Sequence, residues 1–523
     1  MSLSSPPRGP GWNPTRHDVV AWGIALVAVG ATFVPYLAQD ASPPPGHVFS
    51  WTLTAVPDQC SYLMWMDQHR AGALRPADRM TTDAIGGGFL PNPAWVALGW
   101  LAAATGLSLA AAFHAGRALL GLGYLLVLWA LMRAWLPGRP RAALAGFGLA
   151  AIGSGLAWVQ AVGLPVMTAD WMPELWTWQS LLYFPHFAAS LLLACGALLL
   201  LARGRGWAAG GLLALLVFVH PYTALPLGLA IGLRWLACRW RGVLDAAAGR
   251  RDLAALLPWA VAMASLAGWF AANPGMRGWA ERNVMPSPPP WQYALGLGLV
   301  FVLAAWGAVR LAVRREWDAS RALWVSWIAV AALLAYASPL VPYERRCVEG
   351  VHVAFAALAA SAIAGWLERL RPARAAAAIA GLLVAVVPTN ALLLRQEATA
   401  RNPGQVRDDW PSLWDAVRGL PGDAADRTVF TDARTGLFLA AFGGATVFAG
   451  HNELTPDFPQ KMRVIREFFE RPASWPARVA TIRAAGCRWL VMDPEDAAAL
   501  GPDGPPADLL VARGRTWGIW GPL

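Results

Sequence analysis

The residues best suited to chemistry stand in the stretch Pro57-Asp58-Gln59-Cys60-Ser61-Tyr62-Leu63-Met64-Trp65-Met66-Asp67-Gln68-His69-Arg70. It lies just after the first hydrophobic run, in a polar loop over residues 39–93 that holds five aspartates. A loop carboxylate is a natural proton acceptor for a hydroxyl or an amine, and Asp58 is the candidate base. Pro57 marks a helix start, so Asp58 also suits a capping role, and a capping carboxylate stays available for chemistry. The run from Asp58 to Ala71 reads as an amphipathic helix with Tyr62, Trp65 and Met66 near one face. Tyr62 is thereby a candidate substrate contact.

A second group of polar residues could hold an anion. Glu344-Arg345-Arg346 has two adjacent guanidiniums, whereas a salt-bridged turn needs one, and two make a phosphate clamp. Asp170 and Glu174 flank Trp171-Met172-Pro173, His186 follows Phe184-Pro185, and His220 opens His220-Pro221-Tyr222. Each has a plainer reading as a cap, a solvated loop or a helix end. His451-Asn452-Glu453 follows a strand-like run, placed either to face a membrane mouth or to form a surface loop. Arg117, with His114, falls inside an apolar run. An unpaired arginine there costs several kcal/mol, so it reads as a functional group or as half of a structural pair.

The elements that must position these residues cross a membrane. The 523 residues are 57% hydrophobic and 14% charged, with mean hydropathy +0.42. A soluble domain cannot hide that much apolar surface, so the chain reads as a polytopic α-helical membrane protein. Thirty tryptophans suit many membrane interfaces. The net charge of +10 comes from arginines clustered between apolar runs, which points to cytoplasmic loops and away from nucleic acid. Five cysteines without a CxxC exclude a zinc ribbon or thioredoxin-type site. Cys60, Cys347 and Cys487 share one side, but no disulfide is assigned.

Residues 1–17 read as a disordered cytoplasmic tail. About eleven spans are expected, at roughly 18–38, 108–132, 142–160, 184–202, 207–220, 223–238, 253–272, 291–309, 322–338, 350–366 and 375–394. The short apolar stretch 92–105 is expected to lie along the interface. Loops assigned inside carry sixteen arginines and the alternate loops seven, which places the N-terminus inside and the C-terminal part outside. Asp58, Asp170, Glu174, His186, His220 and Glu344–Arg346 then all face the outer side. Beyond residue 394, strand-like runs at 428–432, 445–449, 488–492 and 509–512 alternate with helical patterns at 461–471 and 475–485. That alternation predicts a small extracytoplasmic α/β domain over 395–523. It has no GxGxxG or GxxxxGK[ST] loop, so no nucleotide site is indicated.

These pieces resemble the GT-C superfamily of integral membrane glycosyltransferases. The matching features are the 39–93 loop with Asp58-Gln59-Cys60-Ser61-Tyr62, the apolar helix near 92–105 and the 395–523 domain. Trp171-Met172-Pro173-Glu174, Phe184-Pro185-His186, His220-Pro221-Tyr222, Glu344-Arg345-Arg346 and Gly450-His451-Asn452-Glu453-Leu454-Thr455 are similar to a bacterial group within it. The resemblance implies transfer of a sugar from a polyprenyl-phosphate donor to an extracytoplasmic acceptor, in a bacterial inner membrane, for cell-envelope glycan or glycolipid modification. Asp58 would be the base; Arg345, Arg346, His220 and Arg117 would hold the donor phosphate. Tyr62, Asp170, Glu174, His186, Glu344, His451 and Glu453 would be the substrate contacts. Some members carry paired acids in the first loop, but Gln59 follows Asp58 here, so a divalent metal is left open and not indicated. Two other readings compete. A lipid-linked glycan transporter should show related halves and charged helices at midplane, and no related halves are visible. A non-catalytic assembly protein is disfavoured by the gathering of Asp, His and Arg on one side.

Overall fold

The computed structural model describes residues 14–83, 88–242, 246–338, 341 and 343–523. Most of the expected N-terminal tail, and Gly86 and Gly87 of the loop, lie outside the described residues. The first helix begins earlier than expected, at Arg16, because Thr15 and Asp18 form a reciprocal capping box. Asp18 also accepts from Trp129 Nε1 and Arg133 Nη1, both at 2.8 Å, which ties this helix end to the Leu109–Trp135 helix.

Among the described residues, six helices are long and apolar enough to cross a membrane: Arg16–Ala41, Leu109–Trp135, Pro185–Ala202, Ala246–Ala272, Pro290–Arg314 and Glu344–Arg369. A pair bent by 49°, Pro372–Val386 and Pro388–Thr399, makes a seventh. The described helices of full length thus number six, or seven with the bent pair, and the count of eleven is not confirmed. Gly206–Val219 and Ala319–Leu334 are apolar but shorter, below the roughly 20 residues of a full span. The expected span 142–160 is a helix only over Pro140–Ile152. It stops because Gly155 lies against the backbone of Gly296, where a Cβ would come within 2.1 Å of the Gly296 carbonyl. The apolar bundle is the largest buried core of the molecule.

The loop after the first helix is folded, not open. It contains the helix Val56–Arg70, ten of whose fifteen residues are buried. This corrects the expected amphipathic helix: it is covered on nearly every side, and its patterning is weak for that reason. One side meets the apolar helix Pro93–Thr105. At Gly99 a Cβ would lie 2.7 Å from His69 Cβ and 2.8 Å from the Met66 carbonyl, so the two helices touch through a missing side chain. Cys60, Leu63 and Met64 share one core with Trp95 and Leu98, and also with Leu413, Val417, Phe438 and Val447 from the C-terminal region. All five cysteines are free and buried.

The C-terminal region returns to that loop repeatedly. Strand β1 (His47–Phe49) of the loop pairs antiparallel with β2 (Gln405–Arg407). Strands β3 (Thr428–Phe430), β4 (Thr446–Val447), β5 (Trp489–Met492), β6 (Leu510–Arg513) and β7 (Gly518–Trp520) form a five-stranded sheet of order β4-β3-β5-β7-β6. The β3–β4 and β3–β5 pairs are parallel, and β5–β7 and β6–β7 antiparallel. Helices Phe458–Glu470 and Trp475–Ala484 connect β4 to β5. The predicted strands and helices thus form an α/β unit, with β7 added. Asp67 of the loop helix binds Arg70, Arg79 and Arg418 at 2.7, 2.9 and 3.4 Å, so one buried carboxylate fastens loop and sheet region together.

Candidate functional site

A cavity of about 370 Å³ opens between the loop helix, the 173–187 segment, the His220 turn, the 266–285 region and Arg345–Arg346. Asp58, Tyr62, Glu174, His186, His220, Arg345 and Arg346 all line it. The fold thereby brings together seven of the residues singled out from the sequence.

Asp58 sits in the first turn of the loop helix with Pro57 beside it, where a carboxylate is favoured by the helix dipole. Its side chain keeps 43% of its exposure, so it is open to solvent and ligand. His451, buried, reaches it from the turn after β4, with Nε2 3.5 Å from Asp58 Oδ1. The Glu453 backbone N–H donates to His451 Nδ1 at 3.0 Å. A ring nitrogen that accepts carries no proton, so the neutral ring bears its proton on Nε2, facing Asp58. The turn is held by Thr455, whose hydroxyl donates to the Met80 carbonyl at 2.7 Å. His451 is therefore a part of the candidate site and not a surface loop residue. The Glu453 carbonyl accepts from Arg282 at 3.2 Å.

Tyr62 stacks on Trp95 at 4.4 Å and meets Phe184 and His186 edge-on at 5.6 and 4.8 Å. Burial lifts its phenol well above the ordinary value; Asp58 and Glu453 act in the same direction and Arg346 against it. Tyr62 stays a neutral hydroxyl between the acidic and basic walls. His186 is buried among aromatic rings with Nδ1 unpartnered.

The basic wall differs from the expected twin clamp. Arg345 is committed to the buried Glu174 at 3.2 Å. Arg346 has no ion-pair partner among the described residues; its Nε lies 3.1 Å from Met285 Sδ and its guanidinium faces the Tyr222 ring at 5.1 Å. Arg346 is the guanidinium with charge to spare. His220 Nδ1 lies 2.9 Å from Glu349 Oε2 and 2.8 Å from Thr223 Oγ1. Glu349 is wholly buried, and Ser190 donates to its other oxygen. Glu349 was missed in the sequence. The signal was present: a carboxylate three residues past Arg346, heading an apolar run. Thr223 takes the Nδ1 hydrogen bond, and Glu349 Oε2, which makes no hydrogen bond of its own, stands beside the ring as a charge.

Five candidates do not line the cavity: His451 and Glu453 stand behind Asp58, and Arg117, Asp170 and Glu344 are engaged elsewhere, a correction of their expected roles. Arg117, read as a phosphate ligand, gives Nη1 to the Leu181 and Leu182 carbonyls at 2.8 and 3.0 Å and to Thr32 Oγ1 at 3.0 Å. Wedged over the Phe33 and Tyr36 rings, it is a structural clamp. Asp170, fully buried, accepts from the Ala157 N–H at 3.1 Å. Glu344 accepts from the Ser287 and Ser338 N–H groups at 3.1 and 2.7 Å. The two acids satisfy backbone donors, the plainer reading of such acids.

No cluster of three or more His, Cys, Asp or Glu side chains that could hold a metal ion occurs among the described residues. Among the described residues, the one ion-pair neighbour of Asp58 is His451.

Asp78, in the same loop, is a second carboxylate near this corner. Its Oδ1 accepts the Met80 N–H at 2.8 Å, while Oδ2 is buried without a partner. Burial pushes its carboxyl up to about 7, against that hydrogen bond and the charges of His451, Arg282 and Lys461. A carboxyl raised by folding leaves stability intact below its unfolded value of about 3.9 and removes it as pH climbs through about 7. Asp78→Asn therefore unfolds at a higher temperature than the native protein at about pH 8, with the difference closing at about pH 4. Thermal unfolding of both proteins at the two pH values checks this.

No protein-family model and no curated protein sequence matches the chain. Solved structures do. The oligosaccharyltransferase of Archaeoglobus fulgidus, tethered to an acceptor peptide with the NVT sequon, is 14% identical, with TM-score 0.55 over 91% of this chain and 69% of that one. The same archaeal enzyme, AglB, in complex with an inhibitory peptide and a dolichol-phosphate, is 13% identical with TM-score 0.55 over the same shares. The arabinofuranosyltransferase AftD from Mycobacteria is 15% identical, with TM-score 0.50 over 92% of this chain and 35% of that one. The chain has the GT-C fold of these membrane glycosyltransferases.

Proposed function

We propose that the protein is a membrane glycosyltransferase that moves a sugar from a polyprenyl-phosphate donor to an extracytoplasmic acceptor. The observation that carries this reading is that one cavity is lined both by an open carboxylate, Asp58, and by a guanidinium without an ion pair among the described residues, Arg346. The likeness to GT-C structures supports the class, and the dolichol-phosphate held by one of them supports a lipid-linked donor. In the reaction, Asp58 takes the proton of the acceptor hydroxyl or amine as the acceptor atom bonds to the anomeric carbon. The bond from that carbon to the phosphate oxygen breaks, and its electron pair leaves with the lipid phosphate. Arg346 and His220 stabilise the growing negative charge. Tyr62 and His186 line the space between, as sugar contacts. The distribution of arginines supports a bacterial inner-membrane setting with the site and the 395–523 region on the outer side, serving envelope glycan or glycolipid synthesis.

The test is turnover. Purified protein in nanodiscs is incubated with a panel of polyprenyl-phosphate sugars, and release of free lipid phosphate is followed. Release from at least one donor is expected. Donor translocation across sealed vesicles without release would replace transfer with transport.

The same assay examines Glu349. Glu349→Gln removes the carboxylate charge 2.9 Å from His220 Nδ1, and a loss of about 1.5–3 kcal/mol, the worth of a close charged contact, is on the order of 10–100-fold in rate. Glu349→Gln is expected to lower turnover by that factor, and the Glu349→Gln/His220→Gln pair to be no slower than His220→Gln alone. Additive losses would mean Glu349 acts elsewhere than through His220.

A further inference from the structure

The sheet places a second cleft away from the Asp58 cavity. From β3 the chain runs to β4 on one side, then crosses to β5 on the other. In an open sheet, ligands bind in the crevice beyond the carboxyl ends of two strands whose connections diverge in this way. A cleft of about 570 Å³ lies there, lined by Thr431 and Asp432 after β3 and by Asp493 after β5. Trp517, Arg407, Arg466, Glu470 and Asp496 stand in its walls.

The chemistry of the lining selects a ligand. Thr431 is 2% exposed and its Oγ1 has no hydrogen-bond partner, an orphan that lines the cleft. A buried hydroxyl without a partner is rare and calls for one. Asp432 and Asp493 each use one oxygen to cap a short helix, accepting from the Thr435 and Glu495 N–H groups at 3.0 and 2.9 Å. Their second oxygens have no partner among the described residues. The Trp517 indole N–H is engaged by the Asp409 carbonyl at 3.0 Å, which fixes the ring against the cleft. An anion would meet four carboxylates (Asp432, Asp493, Asp496 and Glu470) against two guanidiniums (Arg407 and Arg466), and an apolar ligand would strand them. A neutral polyol fits: carboxylates accept from hydroxyls, Arg466 and Thr431 donate, and an aromatic face packs on C–H surfaces.

We propose that this switch-point cleft is a second glycan site, binding a neutral oligosaccharide. The inference rests on no step of the transfer reaction, because binding is read without turnover. Full-length protein in nanodiscs is titrated calorimetrically with short manno-, gluco- and arabino-oligosaccharides, and amide hydrogen exchange maps the contact. Saturable binding of at least one of them is expected, with protection at 431–435 and 493–496. Asparagine caps helices as well as aspartate, so Asp432→Asn/Asp493→Asn keeps the fold. That variant should bind about tenfold more weakly, the value of one lost charged hydrogen bond, while Asp58→Asn binds as the native protein does. Absence of saturable binding by the native protein, protection confined to the Asp58 cavity, or unchanged affinity in the double variant overturns the proposal. The exchange map uses native protein alone, so it decides even if the double variant misfolds.

Discussion

Asp58→Asn is expected to lower sugar transfer by about 10²–10⁴-fold, the usual worth of a positioned general base. Expression and thermal stability should change little, for two reasons. The side chain is 43% exposed and makes no buried ion pair apart from the 3.5 Å approach of His451. Asparagine also retains whatever capping the aspartate gives to the loop helix. His451→Gln should act on the same step with a smaller loss, since it orients Asp58 without taking the acceptor proton. The assay is release of lipid phosphate in the presence of acceptor, with donor binding measured separately. Donor affinity unchanged alongside lost turnover assigns Asp58 to the chemical step. Full turnover in Asp58→Asn would remove it as the base and turn attention to Glu174, the other acid lining the cavity.

The Asp58–His451 approach could not be seen in the sequence, although both residues were singled out there. They stand almost four hundred positions apart, and the link between them is tertiary: the pairing of β1 with β2, and the Thr455–Met80 hydrogen bond. What was legible was local. Pro57-Asp58 marked a helix start, and alternating strand-like and helical runs beyond residue 394 marked an α/β unit; both are written in short-range pattern. Hydropathy misled where a helix ends on tertiary contact. The run 142–160 is apolar but for Ser154 and Gln160, yet the backbone leaves the helix at Gly153 to pack Gly155 on Gly296. Composition also cannot tell a buried clamp from a ligand. Arg117 and Arg346 both sit beside apolar runs, but only the structure shows that Arg117 is occupied by the carbonyls at the end of the Thr177–Tyr183 helix. Glu349 was passed over because it stands five residues from a more conspicuous acid, Glu344, whose oxygens turn out to serve backbone N–H groups.

Arg346→Ala is expected to lower turnover by on the order of 10²–10³-fold, the cost of removing one preorganised donor from a developing anion. The argument turns on which arginine is free. Arg345 lies 3.2 Å from Glu174 and is neutralised by it, so its field at the cavity is small. Arg346 meets a thioether and the ring and hydroxyl of Tyr222, and it feels Glu174 and Asp58 without forming an ion pair with either. Arg345→Ala should therefore act mainly on stability, because it leaves Glu174 buried at 3% exposure without its cation. Arg346→Lys should recover only part of the loss, since an ammonium keeps the charge but not the planar fork that meets two phosphate oxygens. Comparing the three variants for lipid-phosphate release and for unfolding temperature separates the two roles. Equal losses of turnover in Arg345→Ala and Arg346→Ala, at equal stability, would restore the twin clamp and place Glu174 as a partner that yields Arg345 when the phosphate arrives.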